Sequence, residues 1–271
     1  MHPFFFGSAE QRLFGVYHPA ASSHPRDAGV VLCHPFGHEY VRVYRGFRTL
    51  AIRLAEAGFH VLRFDYYACG DSSGDSAEGS VRQWISDICT AVEELRDMAG
   101  VSKVSLVGLR FGATLAAFAA QKCDDLDHLI LWDPVANGGR FLDELRLVQK
   151  AWLRTKPGPS GAAAREPRDE LIGFPLPEQL VAEFQTMDVA EIREWRARHA
   201  TVLASSEGDE STEWRERLKT LPIASTYRCV PGAGDWTSAS SVHHALLAHE
   251  MMHAITALLG ETGARLGIHV S

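Results

Sequence analysis

The chain has 271 residues, and its content of 46% hydrophobic and 23% charged residues is that of an ordinary globular protein, which excludes disordered, collagen-like and coiled-coil chains. A formal net charge of −7, from 27 Lys and Arg against 34 Asp and Glu, lacks the basic excess that binding to a phosphate backbone requires. We therefore predict no nucleic-acid partner.

The cysteines and the apolar runs bear on the surroundings in which the protein works. The five cysteines are scattered, with no C-x-x-C pair, and indicate neither a disulfide framework nor a zinc site. No run of about 18 apolar residues occurs, and no basic segment precedes the aromatic run at 4–6, so we predict neither a membrane span nor a signal peptide. A cytoplasmic protein with no membrane partner is the expectation.

The hydrophobic pattern alternates between strand and helix along most of the chain. Short apolar runs bounded by Gly, Pro and Ser predict strands at 13–18, 29–34, 59–64, 101–109, 129–132, 201–205 and 224–230. Apolar residues at helical spacing predict helices between Gly37 and Gly58, at 81–98, at 113–120 and at 242–259. This alternation favours an α/β fold with a mostly parallel central sheet and helices on both faces.

Residues 137–198 break the alternation. The segment is helical in pattern and charged, with a stretch rich in Pro, Gly and Ala at 156–167. Because it separates two strands of the predicted sheet, we interpret it as a helical lid inserted into a single domain that spans residues 1–271.

The segment 108–112 reads Gly-Leu-Arg-Phe-Gly and joins a predicted strand to a helix of small residues. This is the form of the nucleophile elbow, G-x-S-x-G, in which a tight turn exposes the central residue above the sheet and leaves little room for neighbouring side chains. Here the central residue is Arg110.

Two loops after strands are expected to surround this turn. The first, H-P-F-G-H-E at 34–39, stands where such a fold supplies one N–H of an oxyanion hole. We take the amides of Phe36 and Phe111 as the donor candidates, with Gly37 beside them. The second, D-Y-Y-A-C-G-D-S-S-G at 65–74, would form one wall of the site and contains Cys69.

Taken together, these segments resemble the α/β-hydrolase superfamily over about residues 10–260. The H-P-F-G-H-E and F-D-Y-Y-A-C-G-D-S strings are similar to bacterial serine-aminopeptidase (S33) hydrolases, of the groups encoded beside polyketide, nonribosomal-peptide or exosortase genes. The resemblance implies acyl, ester, amide or thioester substrates and a Ser-His-Asp triad.

The triad positions that the resemblance implies carry unexpected residues. The nucleophile would lie at Arg110, the acid would be Asp209 with Glu210 as second choice, and Asp235 stands where the histidine belongs. Two of the three positions therefore depart from the family pattern.

An arginine at the elbow limits the chemistry available there. Its guanidinium stays protonated and has no lone pair with which to attack a carbonyl, so serine-type covalent catalysis at Arg110 is excluded. Arg110 can instead hold a carboxylate, a phosphate or a developing oxyanion. The alternative is that it pairs with Asp209 or Asp235 and fills the site, since a partner compensates a charge that is costly to bury alone.

Three other side chains are weaker candidates. His34 could act as a base, although a histidine at this strand end is usually a scaffold residue in the resembling family. Cys69, like Cys33, could supply a nucleophile if a nearby positive charge lowered the pKa of its thiol. His243, at the start of the last predicted helix, could act as a displaced base.

We therefore expect an enzyme of α/β-hydrolase fold that acts on an acyl, ester or thioester substrate in a biosynthetic pathway. The substrate is a small acyl or anionic molecule, free or carrier-bound, and the chemistry is cyclisation, elimination or water-mediated hydrolysis with Asp235 or Asp209 as base or orienting group. The alternative is a catalytically silent binding or scaffold protein. No cofactor and no metal are predicted, and a homo-oligomer is left open.

Overall fold

Eight strands form one sheet, in a computed structural model that describes residues 1–155, 169–232, 236 and 245–265. The strands are β1 (His2–Gly7), β2 (Arg12–His18), β3 (Ala28–Cys33), β4 (His60–Phe64), β5 (Lys103–Leu109), β6 (Leu126–Trp132), β9 (Ala197–Ala204) and β10 (Ala224–Cys229). Their order is β1-β2-β4-β3-β5-β6-β9-β10. The pairs β1/β2 and β2/β4 are antiparallel and the others parallel, so the functional loops share the carboxyl edge of the parallel strands.

Helices cover both faces of the sheet. They are α1 (His38–Glu56), α2 (Val81–Ala99), α3 (Phe111–Ala119), α4 (Gly138–Arg154), α5 (Glu178–Gln185), α6 (Asp209–Thr220) and α7 (His249–Arg265). Alternate residues of β3 face opposite sides: Val31 packs in the core cluster that holds α2 and α3, and Leu32 in the one that holds α1 and α7. The predicted fold class, an α/β-hydrolase sheet with helices on both faces, is confirmed.

Outside residues 137–198, one strand and one α-helix have no counterpart in the sequence prediction. Strand β1 pairs antiparallel with β2 along its full length, a contact that its short aromatic run did not reveal. Helix α6 buries only Ser211, Trp214 and Leu218, a stripe too narrow to stand out among its charged residues. Helix α7 begins at His249 and not at the predicted residue 242; residues 242–244 lie outside the described part of the chain.

The segment between β6 and β9 holds α4, α5 and a short hairpin of β7 (Glu170–Leu171) and β8 (Phe174–Pro175). Asn137 caps the start of α4 by accepting a hydrogen bond from the Arg140 N–H. This cap stabilises the first turn of the helix that follows β6. The role of residues 137–198 as a lid stays a prediction.

The expectation that the cysteines form no disulfide is wrong for one pair. Cys89 of α2 and Cys123, in the turn after α3, are joined by a disulfide with their Cα atoms 5.3 Å apart. The two are 34 residues apart in sequence, and the packing of α2 against α3 brings them together. Because disulfides persist in oxidising compartments, the cytoplasmic prediction loses the support that it drew from unpaired cysteines. Among the described residues, no helix is long and apolar enough to cross a membrane.

Candidate active site around Arg110

The turn between β5 and α3 holds Arg110 in a strained backbone conformation. Its φ is 52° and its ψ is −125°, a region that residues with a Cβ rarely occupy. The Arg110 N–H donates to the Trp132 carbonyl over 2.9 Å, and the Arg110 carbonyl accepts from the Ala113 N–H over 2.9 Å. These bonds fix the turn between two strands and a helix.

Two glycines make room for this turn. A Cβ on Gly108 would lie 2.4 Å from the Cα of Ala113, and a Cβ on Gly112 would lie 2.2 Å from the carbonyl oxygen of His34. Both neighbours are backbone atoms, which cannot rotate away. The sharp strand-to-helix turn therefore depends on these two positions.

Replacing Gly112 with alanine is expected to lower the free energy of unfolding by about 2 kcal/mol, because the added methyl group forces the 34–39 loop away from α3. The matched control is Gly208→Ala, since no atom lies within 4 Å of a Cβ at that position. Urea denaturation of both variants measures the effect. Equal stabilities would contradict the steric role of Gly112.

The side chain of Arg110 is held by three glutamates from three different elements. Its Nε donates to Oε1 of Glu39 in α1 over 3.0 Å, and its Nη2 to Oε1 of Glu144 in α4 over 2.5 Å. Its Nη1 lies 3.5 Å from Oε2 of Glu210 in α6. All three nitrogens of the guanidinium therefore face a carboxylate.

The cluster is buried on one side and open on the other. The Arg110 side chain is 5% exposed and that of Glu39 is fully buried, whereas Glu144 is 25% and Glu210 32% exposed. The guanidinium carbon lies 5.3 Å from the ring centre of Phe141 and 5.5 Å from that of Trp236. Arg110 therefore separates an inaccessible carboxylate from two that reach solvent.

Burial and the charges of the cluster act in opposite directions on the pKa values of Glu39, Glu210 and Arg110. It raises the pKa of Glu39 to about 7, although Arg110 and, more weakly, Arg42 favour the charged carboxylate. Burial also raises the pKa of Glu210, again opposed by Arg110. For Arg110 burial favours the neutral form, but Glu39, Glu144 and Glu210 outweigh it and raise the pKa above its usual value. Arg110 stays charged, and Glu39 and Glu210 are shifted toward neutrality.

The open side of the cluster faces a cavity of about 460 Å³. Arg110, Glu144, Glu210 and Asp209 line it, together with the indole of Trp236. Asp209 is the first residue of α6, and of the two adjacent acids only Glu210 reaches Arg110, because successive helical side chains point about 100° apart. The structure therefore pairs Arg110 with Glu210, the second-choice acid, and not with Asp209.

Sequence reasoning missed Asp133, which follows β6 at the same edge of the sheet. Its φ is 42°, and its carboxylate accepts hydrogen bonds from the Ser205 N–H, the Ser205 hydroxyl and, over 2.9 Å, Nε1 of Trp236. Asp133 thus positions one wall of the Arg110 cavity. Its place directly after a parallel strand was the available signal.

The other predicted loop residues line a separate apolar cavity of about 140 Å³. His34, Phe36, Gly37 and Cys69 are among its lining residues, as are side chains of the hairpin and α5. The structure thus divides the candidates into two groups, with Arg110 and Asp209 at one cavity and the loop residues at the other. Phe111, the first residue of α3, has an N–H without an intrahelical partner.

Neither cysteine of the site region is activated. Burial, with the nearby carboxylates of Asp65 and Asp87, raises the pKa of the Cys69 thiol to about 12. Burial raises that of Cys33 as well. Both thiols stay protonated at neutral pH, which disfavours them as nucleophiles.

His34 is packed as a neutral ring. Its Nδ1–H donates to the Pro35 carbonyl over 2.8 Å, and its ring centre lies 4.1 Å from that of Tyr40 and 4.3 Å from that of Tyr66. Burial lowers the pKa of His34. Its Nε2 is buried and has no hydrogen-bond partner among the described residues. The remaining candidates, Asp235 and His243, lie outside the described residues.

Comparisons with known proteins agree with the fold. Residues 24–203 match the serine aminopeptidase (S33) family. Solved structures of similar fold include Est1E from Butyrivibrio proteoclasticus with ferulic acid bound, at 17% identity and a TM-score of 0.69 over 96% of this chain and 99% of that one. Proline iminopeptidase from Mycobacterium smegmatis is 12% identical, with a TM-score of 0.61 over 98% of this chain and 100% of that one. No curated protein matches the sequence.

Proposed function

The chain belongs to the serine aminopeptidase (S33) family of α/β-hydrolases, and from that premise we propose that it acts on an acyl, ester or thioester substrate without a covalent intermediate, with Glu210 as general base. The observation that carries the proposal is the set of three glutamates around Arg110. Two of them are accessible from the cavity at the sheet edge.

In this proposal, Arg110 occupies the position of the family's nucleophile. Two observations support this: the φ of Arg110, between β5 and α3, is positive, and a Cβ at either flanking glycine would meet backbone atoms. A guanidinium there cannot form an acyl-enzyme. Because Glu39, Glu144 and Glu210 already face its nitrogens, Arg110 is better placed to orient carboxylates than to bind an anionic substrate.

The number of carboxylates around Arg110 favours a catalytic site over an ion pair that only fills the site. One acid is enough to compensate one buried arginine, and each further carboxylate costs desolvation and repulsion. Three acids face Arg110, and Arg42 is the other cation that acts on Glu39. Carboxylates with raised pKa values at a cleft are typical of catalytic sites.

Glu210 meets the geometric needs of a base. It is partly exposed to the cavity, whereas Glu39 is sealed behind Arg110 and cannot reach a substrate proton. Glu210 would take a proton from water as the water oxygen bonds to the acyl carbon, and the N–H of Phe111, the residue that follows Arg110, would hold the oxyanion. The bond to the leaving alcohol or thiol then breaks, and Glu210 returns the proton to it.

The apolar cavity indicates the substrate class. Trp84, Leu115 and Leu180 line it beside the loop of Phe36, which suits a short acyl chain. Phe174 and Leu180 come from the segment 137–198, so we propose that this segment is a lid over the acyl group. The likeness of the loop strings to hydrolases of biosynthetic gene clusters supports a carrier-bound substrate from such a pathway.

Turnover of aryl butyrate esters and S-butyryl pantetheine by the wild type, compared with Glu210→Gln, tests this proposal. We expect the substitution to lower kcat about 100-fold with little change in KM, because it removes the base and keeps the shape. The matched control is Glu216→Gln on the exposed face of the same helix, where Glu216 pairs with Lys219. Labelling of wild-type protein by a fluorophosphonate, or unchanged kcat in Glu210→Gln, would overturn it.

A second candidate, a silent binding protein, is favoured by one observation: every nitrogen of the Arg110 guanidinium already has a carboxylate neighbour. Such a protein would bind the amide isostere of S-butyryl pantetheine, measured by calorimetry, yet turn over none of the esters. Turnover above that of Glu210→Gln would exclude this candidate.

A further inference from the structure

A second large cavity, of about 450 Å³, lies between α1 and the strands β2 and β4. None of the residues that line the Arg110 cavity lines this one. Its volume is in the range of small-molecule sites. Five of its lining side chains are those of phenylalanine or tyrosine: Phe14, Tyr40, Tyr44, Phe47 and Phe64.

Arg63 of β4 lines this cavity and is the cation within it. Arg63 is only 9% exposed. The guanidinium carbon lies 5.7 Å from the ring centre of Tyr44, and Nε donates to Nε2 of His18 over 3.3 Å. In the part of the chain that the structure describes, no carboxylate lies within 4 Å of the Arg63 guanidinium, whereas three carboxylates face the guanidinium of Arg110.

The neighbours of Arg63 include no carboxylate that pairs with it directly. Burial, and then Arg63 itself with other nearby positive charges, lowers the pKa of His18 to about 4, so this histidine is neutral and accepts the hydrogen bond. Asp65 also lines the cavity, but Tyr40 donates to its Oδ1 over 2.6 Å and the Asp71 N–H to its Oδ2 over 3.0 Å. A buried cation that is not directly paired with a carboxylate is costly, and an anion bound to the Arg63 guanidinium would lower that cost.

We propose that this cavity binds an aromatic monocarboxylate, with the carboxylate on the guanidinium of Arg63 and the ring among Tyr44, Phe47 and Phe64. A planar guanidinium binds a carboxylate through two parallel hydrogen bonds. The aromatic wall supplies stacking and edge contacts to a ring. Asp65 and Asp71, which also line the cavity, disfavour a ligand with a second negative charge.

Calorimetric titration with 2-naphthoate and with its neutral isostere 2-naphthamide tests the site. We expect wild-type protein to bind the acid about tenfold more tightly than the amide, and Arg63→Met to lose that preference. The matched control is Arg12→Met, which removes an exposed arginine stacked on Phe5 outside the cavity and should bind as wild type does.

Equal affinity of the wild type for acid and amide, or an unchanged preference in Arg63→Met, would overturn the proposal. If Arg63→Met does not fold, Tyr44→Ala replaces it, because Tyr44 lies at the partly exposed rim of the cavity. That variant should weaken binding of acid and amide by a similar factor. Retained affinity for both ligands in Tyr44→Ala would contradict the site.

Discussion

Arg110→Met is expected to lower the free energy of unfolding by about 3–5 kcal/mol at about pH 8, the usual cost of removing one partner from a buried ion pair. The substitution keeps the length of the side chain but leaves Glu39 fully buried without the nitrogen to which it is bonded. Glu144 and Glu210 lose their partner as well. Three carboxylates would then repel one another around an apolar side chain.

The pH dependence separates this loss from a packing defect. In Arg110→Met the loss should shrink at about pH 5, because protonation removes the uncompensated charges. The control is Arg140→Met, which removes the pairing to Glu213, an ion pair with both side chains more than a third exposed; it should change stability by less than about 1 kcal/mol. Urea denaturation at both pH values gives the comparison. An equal loss at the two pH values would contradict the electrostatic explanation.

The fold could be predicted from the sequence because its signals are local. The short apolar runs of the strands, the helical spacing of α2 and the glycines of the 108–112 turn each occur within about twenty consecutive residues. Strand β1 and helix α6 were missed because their apolar stripes are short. Local periodicity carries no information where an element buries only a few side chains.

The ionic centre could not be predicted, because its members come from distant elements. Glu39 lies 71 residues and Glu144 34 residues from Arg110, and on their helices both read as ordinary charged positions. Glu39 even belongs to the string that we used for the Phe36 amide, yet its side chain turns inward. Which carboxylate meets Arg110 is decided by helix packing, and a single sequence does not show it.

The same helix packing explains why the predicted loop residues and the predicted catalytic positions line different cavities. The loop residues that resemble the hydrolase pattern line the apolar cavity, whereas Arg110 and the acid positions Asp209 and Glu210 line the polar one. The residues proposed to contact the acyl chain are therefore different from those around Arg110. This separation allows the elbow to change its chemistry while the apolar cavity keeps its shape.

Glu39→Gln is expected to gain stability relative to wild type as the pH rises from about 5 to about 8, by about 3 kcal/mol, since each unit of pKa shift corresponds to about 1.4 kcal/mol. Burial raises the pKa of Glu39 from its usual 4.5 to about 7. An acid whose pKa is raised by folding stabilises the folded state most when it is protonated. Its contribution is therefore complete below about pH 4.5 and declines as the pH rises through 7.

Glutamine removes this decline because it never carries the charge, and its carbonyl oxygen can still accept the hydrogen bond from Nε of Arg110. Glu144 and Glu210 continue to compensate the arginine in this variant. The control is Glu56→Gln at the exposed end of the same helix, whose difference from wild type should change by less than about 0.5 kcal/mol over the same range. Urea denaturation in steps of pH measures both variants. If the difference between Glu39→Gln and wild type did not grow with pH, Glu39 would be ionised throughout, and the balance between burial and Arg110 would favour the ion pair.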